Sequence, residues 1–387
     1  MLLTGTGRLA PAGPSPPWAI EVRDGRIAWI GSATGAPDSE ERIELGSALV
    51  TPGLVDSHTH PVFAGDRSDE AAARLEGQPY TQGGILRTVR ETRAADDETL
   101  ERLVEGRLRA ALAAGTTTVE CKSGYGLSLD EELRHLRLLA RVAERVPIRV
   151  VRTFLGAHAV PPEASSMADH ARRVADEMIP AVAAERLADF VDVFADEGFF
   201  DLDATERIAR AAGAAGLGVR LHAEQLARTG AAELGVRLGV ASVDHLEQLD
   251  GPGVAALAGS STVATLLPGP ALVLGDRLPP ARALLDAGAT VALASDANAG
   301  TYGGFGTMPL VIGLGATLLG MTALEALTAA TAGGGAALGR ETLGTLRPGA
   351  PADLVAWDAE HEGVFALRLG AVRPSRTWVG GREVWAG

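Results

Sequence analysis

The sequence predicts an α/β protein: a metal-dependent (β/α)₈ TIM-like barrel with a small β-sandwich domain formed from both termini. Three observations lead there. Eight apolar, β-branched runs alternate with helix-period segments through the middle of the chain. Both ends are strand- and turn-rich and lack that alternation. Five of the eight histidines stand directly at the ends of the apolar runs. The corresponding division is residues 1–52 with 345–387 for the β domain and 53–344 for the barrel.

Bulk properties fit. The 387 residues suffice for one barrel and a smaller domain, and 46% hydrophobic with 22% charged residues is a globular balance with a large core. A net charge of −14 argues against nucleic-acid binding. A small anionic substrate is compatible with it if a local cation is supplied. The single cysteine, Cys121, permits no intrachain disulfide and is expected to be a small buried side chain. Residues 1–20 lack the basic start and long apolar stretch of a signal peptide, and no apolar run reaches the ~20 residues of a membrane span. The expected setting is the cytoplasm. The expected partner is a small anionic heterocycle, with neither nucleic acid nor membrane; a homodimer is compatible with this reading.

At the N-terminus, strands over 18–22 and 26–30 flank Asp24-Gly25, a strong hairpin signal. Strands over 352–358, 375–379 and 382–385, with a turn at Gly380-Gly381, close the other end. The first barrel strand is read at 48–55, with Pro52 and Gly53 at its start. The others follow at 116–121, 148–155, 190–194, 218–221, 241–243, 262–267 and 290–294. Helices are expected at 98–114, 129–145, 168–185, 204–215, 230–238, 254–258 and 280–287. Leu100, Leu103, Val104, Leu108, Ala111 and Leu112 repeat at helical spacing. Gly115, Gly216, Gly239, Gly259 and Gly288 stand where helices should stop. A doubly wound sheet is the alternative, but no Gly-x-Gly-x-x-Gly turn follows the first strand. Gly333-Gly334-Gly335 has no following Gly-Lys-Ser/Thr and is not a phosphate loop.

Barrel chemistry sits at the C-terminal strand ends. There the chain places His58 and His60; Glu120 to Gly126; Gly156-Ala157-His158; His222-Ala223-Glu224-Gln225; Asp244-His245; and Ser295-Asp296, then Asn298. In an extended strand Asp56, His58 and His60 share a face. A bare His-x-His is more often two polar residues at a strand end, but the concentration of histidines at strand ends reverses that reading. His58, His60, His222 and Asp296 are the expected ligands of one divalent metal; imidazoles with one carboxylate suit Zn or Fe, with Mn also open.

These features resemble the amidohydrolase superfamily and, inside it, the imidazolonepropionase family. The stretch 51–60, Gly83-Gly84-Ile85 to Thr92-Arg93, Gly115-Thr116-Thr117-Thr118 and Leu266-Leu267-Pro268-Gly269 carry it. Lys122-Ser123-Gly124-Tyr125-Gly126 and Gly156-Ala157-His158 narrow it. The resemblance implies hydrolysis of 4-imidazolone-5-propanoate to N-formimidoyl-L-glutamate, the third step of histidine degradation. It implies the same four metal ligands, His245 beside the reacting carbonyl, and Asp296 or His245 as proton carrier. It also implies substrate contacts from Arg67, Tyr125, His158 and Asn298. On spacing alone Arg67 is equally a solvated loop charge, and Tyr125 could be turn packing. Glu120 and Lys122 read as wall groups rather than catalysts. The chain departs from the family at Ala297, at Ala299 and in the glycine-rich 301–306 loop. It departs again between Tyr80 and Gly83, where Gln82 replaces a frequent glycine. Gln225 stands where many members carry Glu; it cannot shuttle a proton but can orient a ring. A ring deaminase is the competing activity, and Gln225 counts against it. A hydantoinase-type binuclear site lacks its strand-four lysine, and an inactive scaffold would be expected to have lost ligands.

Overall fold

The computed structural model describes residues 1–77 and 82–386. The departure read at Tyr80 and Gln82 concerns residues 78–81 and the Gln82 side chain, which lie outside that description. Eight parallel strands follow one another in chain order: β1 (Leu54–Asp56), β2 (Thr116–Lys122), β3 (Arg149–Ala157), β4 (Phe190–Ala195), β5 (Gly218–Ala223), β6 (Ser242–His245), β7 (Val263–Leu266) and β8 (Val291–Leu293). The ring closes just beyond β8. Thr59 bridges Ala297 in parallel, the Asp296 amide donates to the His58 carbonyl at 3.0 Å, and the His60 amide donates to the Ala297 carbonyl at 2.9 Å. A doubly wound sheet has no such closure.

The run read as one strand over 48–55 is two. Val50–Pro52 pairs antiparallel with Leu354–Trp357, and Leu54–Asp56 pairs parallel with β2. Gly53 lies between them because only a glycine fits: a Cβ there would lie 2.0 Å from the Thr117 hydroxyl. The terminal segments form two four-stranded sheets. One contains Leu2–Gly5, Trp18–Arg23, Arg26–Ser32 and Arg42–Glu44; the other contains Val50–Pro52, Leu354–Trp357, Pro374–Val379 and Arg382–Ala386. Leu3, Trp18, Ile20, Val50, Leu354 and Trp378 meet in their shared core. Asp24 and Gly25 both take positive φ, 50° and 73°, as the two central residues of a type I′ hairpin turn require.

The amphipathic helices pack where their period places them: Leu100, Val104, Leu108, Ala111 and Leu112 of Asp97–Ala113 are buried. Gly115, Gly216, Gly239 and Gly288 end their helices in the left-handed region. Gly259 does not; its φ is −91°. Helical periodicity does not mark Met308–Leu318, whose face pattern is erased because it is apolar nearly throughout. It also misses the helical segment carrying Gly333-Gly334-Gly335. These glycines let that segment press on the barrel wall: Cβ atoms at 333 and 334 would lie 2.3 Å from the Val291 carbonyl and 2.5 Å from the Val55 carbonyl. Among the described residues no helix is long and apolar enough to cross a membrane.

Candidate active site

β1 stops at Asp56, so His58 and His60 stand in the closing segment beyond it. Asp56 leaves their face and accepts from the Ser295 amide (2.9 Å) and hydroxyl (2.6 Å), tying β1 to β8. Burial, offset in part by Ser295, pushes its carboxyl up to about 7.

The Nε2 atoms of His58, His60 and His222 form a triangle with edges of 3.1, 3.3 and 3.4 Å. Asp296 Oδ1 lies 3.3 Å from His60 Nε2 and 3.6 Å from His58 Nε2. Neutral imidazoles have no reason to crowd three ring nitrogens together. Ligands ~2.0–2.1 Å from one tetrahedral ion stand about 3.3–3.4 Å apart, which matches these edges. The three imidazoles therefore fit one divalent ion, and Asp296, beside His58 and His60, is placed to be its carboxylate ligand.

The supports for two of these rings lie inside the barrel. His58 Nδ1 meets Asp244 Oδ2 at 2.6 Å, and the same oxygen accepts from Arg220 at 2.8 Å. His222 Nδ1 meets Asp192 Oδ1 at 3.0 Å; Lys122 Nζ is 2.8 Å from both Asp192 Oδ2 and Glu120 Oε1. Glu120 in turn accepts from the Thr59 amide, between His58 and His60. Carboxylates on Nδ1 fix each tautomer and aim Nε2 at the ion. Burial, then Lys122 and the neighbouring imidazoles, hold His58 well below the usual histidine range, as a ligand requires. Asp192 and Arg220 escaped the sequence reading. Their signal was there, a lone charge inside Phe190–Phe194 and inside Gly218–Leu221, but its partners lie on other strands.

His58 stands at the base, and the other nine predicted site residues line one cavity, joined by Ile85, Phe194 and Thr301. His245 takes φ +84° and sets Nε2 3.9 Å from Asp296 Oδ2 and Nδ1 3.6 Å from Glu247. Burial, the largest single effect, opposes its protonation, but the carboxylates of Glu247, Asp296 and Asp244 together outweigh it and raise its pKa. His158 stacks on His60, with ring centroids 5.1 Å apart, and its Nδ1 donates to the Gly124 carbonyl at 2.9 Å. Burial and the imidazoles of His60 and His222 keep it neutral, so its Nε2 accepts hydrogen bonds. Arg67 is no solvated charge: its side chain is 2% exposed and grips Glu70 through Nε and Nη2. Asn298 lines the wall but commits its amide to its own loop, donating to the Asp296 carbonyl and Thr301 Oγ1 and accepting from the amides of residues 300 and 301. Gln225 faces the cavity while Glu224 turns away to Arg228 and the amides of residues 229 and 230.

A family profile described as "Amidohydrolase family" matches residues 49–384. An imidazolonepropionase from Salinispora arenicola is 49% identical over 91% of this chain and 88% of its own length. One from Nocardia farcinica is 44% identical over 99% and 98%. The chain belongs to the imidazolonepropionase family of amidohydrolases. Among solved structures, the 5-methylcytosine deaminase of Klebsiella pneumoniae superposes with a TM-score of 0.81 at 17% identity, covering 100% of this chain and 98% of that one. The N-isopropylammelide isopropylaminohydrolase of Burkholderia multivorans gives 0.74 at 23%, covering 99% and 97%. These two likenesses speak to the fold alone. Amidohydrolases are metal-dependent, and the His/Asp cluster of this imidazolonepropionase-family member supplies a place for the ion.

Proposed function

We propose that this chain opens the cyclic amide of 4-imidazolone-5-propanoate, giving N-formimidoyl-L-glutamate, in histidine degradation. The observation that carries the reading is the cluster of His58, His60 and His222, with Asp296 Oδ1 beside the first two, at the base of a cavity that Arg67 also lines. It occurs in a chain similar over nearly its whole length to imidazolonepropionases. The four residues would hold one Zn or Fe ion, which when bound polarises a carbonyl and lowers the pKa of water towards ~7.

The protein's own groups do the rest. Arg67, with Tyr125, takes the propanoate carboxylate and fixes the ring over the cluster. His158 Nε2 accepts from a ring N–H rather than donating to the carboxylate, since its Nδ1 proton is spent on Gly124. Asp296 turns Oδ1 towards the ligand imidazoles and Oδ2 towards His245, so Oδ2 can take the proton of the attacking water. The water oxygen bonds to the ring carbonyl carbon, and His245 stabilises the negative charge that grows on the carbonyl oxygen. Asp296 or His245 passes the proton to the adjacent ring nitrogen, the C–N bond breaks, and a carboxylate and a formimidoyl nitrogen result. Gln225 orients the ring through its amide.

The test is ultraviolet-monitored turnover of freshly generated 4-imidazolone-5-propanoate by metal-loaded and metal-stripped protein. Loss of ring absorbance with the loaded protein only, and without ammonia, is expected. No turnover by the loaded protein overturns the assignment, and ammonia release replaces it with a deaminase.

A further inference from the structure

Glu132 lies at the start of helix Leu129–Ala143, outside the cavity and fully buried. A buried carboxylate is costly unless its oxygens are satisfied. The sequence Ser128-x-x-Glu131 has the form of a capping box, but the Ser128 side chain makes no cap. Glu132 instead reaches back over the strand-two loop. Its Oε1 accepts from the amides of Gly126 (2.8 Å) and Leu127 (2.7 Å), and its Oε2 from that of Gly124 (3.1 Å). One side chain thus gathers three backbone amides of a single four-residue stretch.

That loop needs holding. Gly124 has φ +104° and Leu127, which is not glycine, has φ +54°. Glycine takes such a φ freely, but the left-handed Leu127 persists only where the surroundings over-determine it. The loop also carries two of the groups that meet the substrate. Tyr125 is one of its residues, packed against His158 with ring centroids 5.1 Å apart. The Gly124 carbonyl is the acceptor that fixes the His158 tautomer.

We propose that Glu132 is a positioning residue for substrate recognition: it clamps the 123–127 loop, and so sets at once the place of Tyr125 and the orientation and tautomer of His158. It touches neither the substrate nor a metal ligand. The inference rests on the proposed function, because that reading makes Tyr125 and His158 substrate contacts.

The chemistry selects the test. Gln keeps the shape of Glu132 but presents one oxygen and one NH₂ where two acceptors are needed, so at least one N–H is opposed by another donor. Metal-loaded Glu132→Gln should raise KM for 4-imidazolone-5-propanoate about tenfold, as for one lost hydrogen bond to a charged group, with kcat within about threefold. Metal content should equal wild type, and the amides of residues 124, 126 and 127 should exchange with solvent faster. In the background of His158→Phe with Tyr125→Phe the same substitution should add little further, because its effect passes through those two residues. Unchanged KM and unchanged exchange overturn the inference. So do a full tenfold loss on top of the double variant and a fall in metal content with KM unmoved. If Glu132→Gln does not fold, Tyr125→Phe and His158→Phe in the folded protein decide: unless these raise KM, Glu132 has nothing to position. Failure of wild-type turnover would instead count against the proposed function.

Discussion

Val50–Pro52 and Leu54–Asp56 are separated by one glycine, yet they enter sheets with opposite interiors. The first joins the terminal sheets, where Leu3, Trp18, Ile20, Leu354 and Trp378 make an apolar core. The second joins a barrel that buries Glu120, Lys122, Asp192, Arg220 and Asp244 behind its histidines. Burial in the terminal sheets removes apolar area from water, at roughly 25 cal/mol per Å², and stabilises the fold. Burial in the barrel gains little net stability, since taking charges out of water offsets much of their attraction. What it provides is position: Asp192 is held by Lys122 and Asp244 by Arg220, and each fixes a histidine in turn.

The largest effect should come from breaking the barrel cluster itself. His222→Ala should leave a folded protein with little bound metal and turnover down roughly a thousandfold or more, several kcal/mol of transition-state stabilisation. Metal analysis and the ultraviolet assay check this together, and full activity would rule out the site.

Next, matched substitutions in the two interiors sharpen the contrast. Trp378→Ala should cost about 3–5 kcal/mol of stability through its cavity. Lys122→Met should cost about 3–5 kcal/mol by leaving Glu120 and Asp192 uncompensated. Only Lys122→Met should also weaken metal affinity, by about 10- to 100-fold, because Asp192 no longer holds His222 firmly. Denaturant unfolding and metal titration separate the two; equal metal affinity in both variants would make the buried charges mere filler.

At the mouth, Arg67→Met should lose about ten- to a hundredfold in kcat/KM, the value of a hydrogen bond to a charged group. The loss should nearly vanish for an imidazolone lacking the propanoate. Equal losses with both substrates would make Arg67 a scaffold for Glu70.

At neutral pH the smallest effect lies outside both regions. His135 is buried on helix Leu129–Ala143, and among the described residues neither ring nitrogen has a hydrogen-bond partner. Burial, then Arg134 and Arg93, pushes its pKa down to about 3 from 6.5. Between those values the unfolded chain binds the proton and the folded one does not, so stability falls as pH drops from 6.5 towards 3, by up to about 1.4 kcal/mol per pH unit. His135→Leu should remove that slope and move the acid unfolding midpoint lower; an unchanged midpoint would show the ring is charged or solvated in the folded state.

Much of this molecule was legible in one dimension. Strand and helix periods are local, so the barrel strands and amphipathic helices could be read from spacing. His58, His60, His222 and Asp296 could be picked out because barrel chemistry gathers at strand ends. Tertiary structure alone decided the rest. The split at Gly53 depends on Thr117 of a neighbouring strand; the use of Asp192 and Arg220 depends on His222 and Asp244, presented by other strands; Asn298 is bound into its own loop. The acceptor character of His158 depends on a carbonyl 34 residues away in sequence. Sequence fixes which donors, acceptors and charges the chain owns, but which of them meet, and therefore which proton sits on which nitrogen, is settled only when distant strands close into a ring.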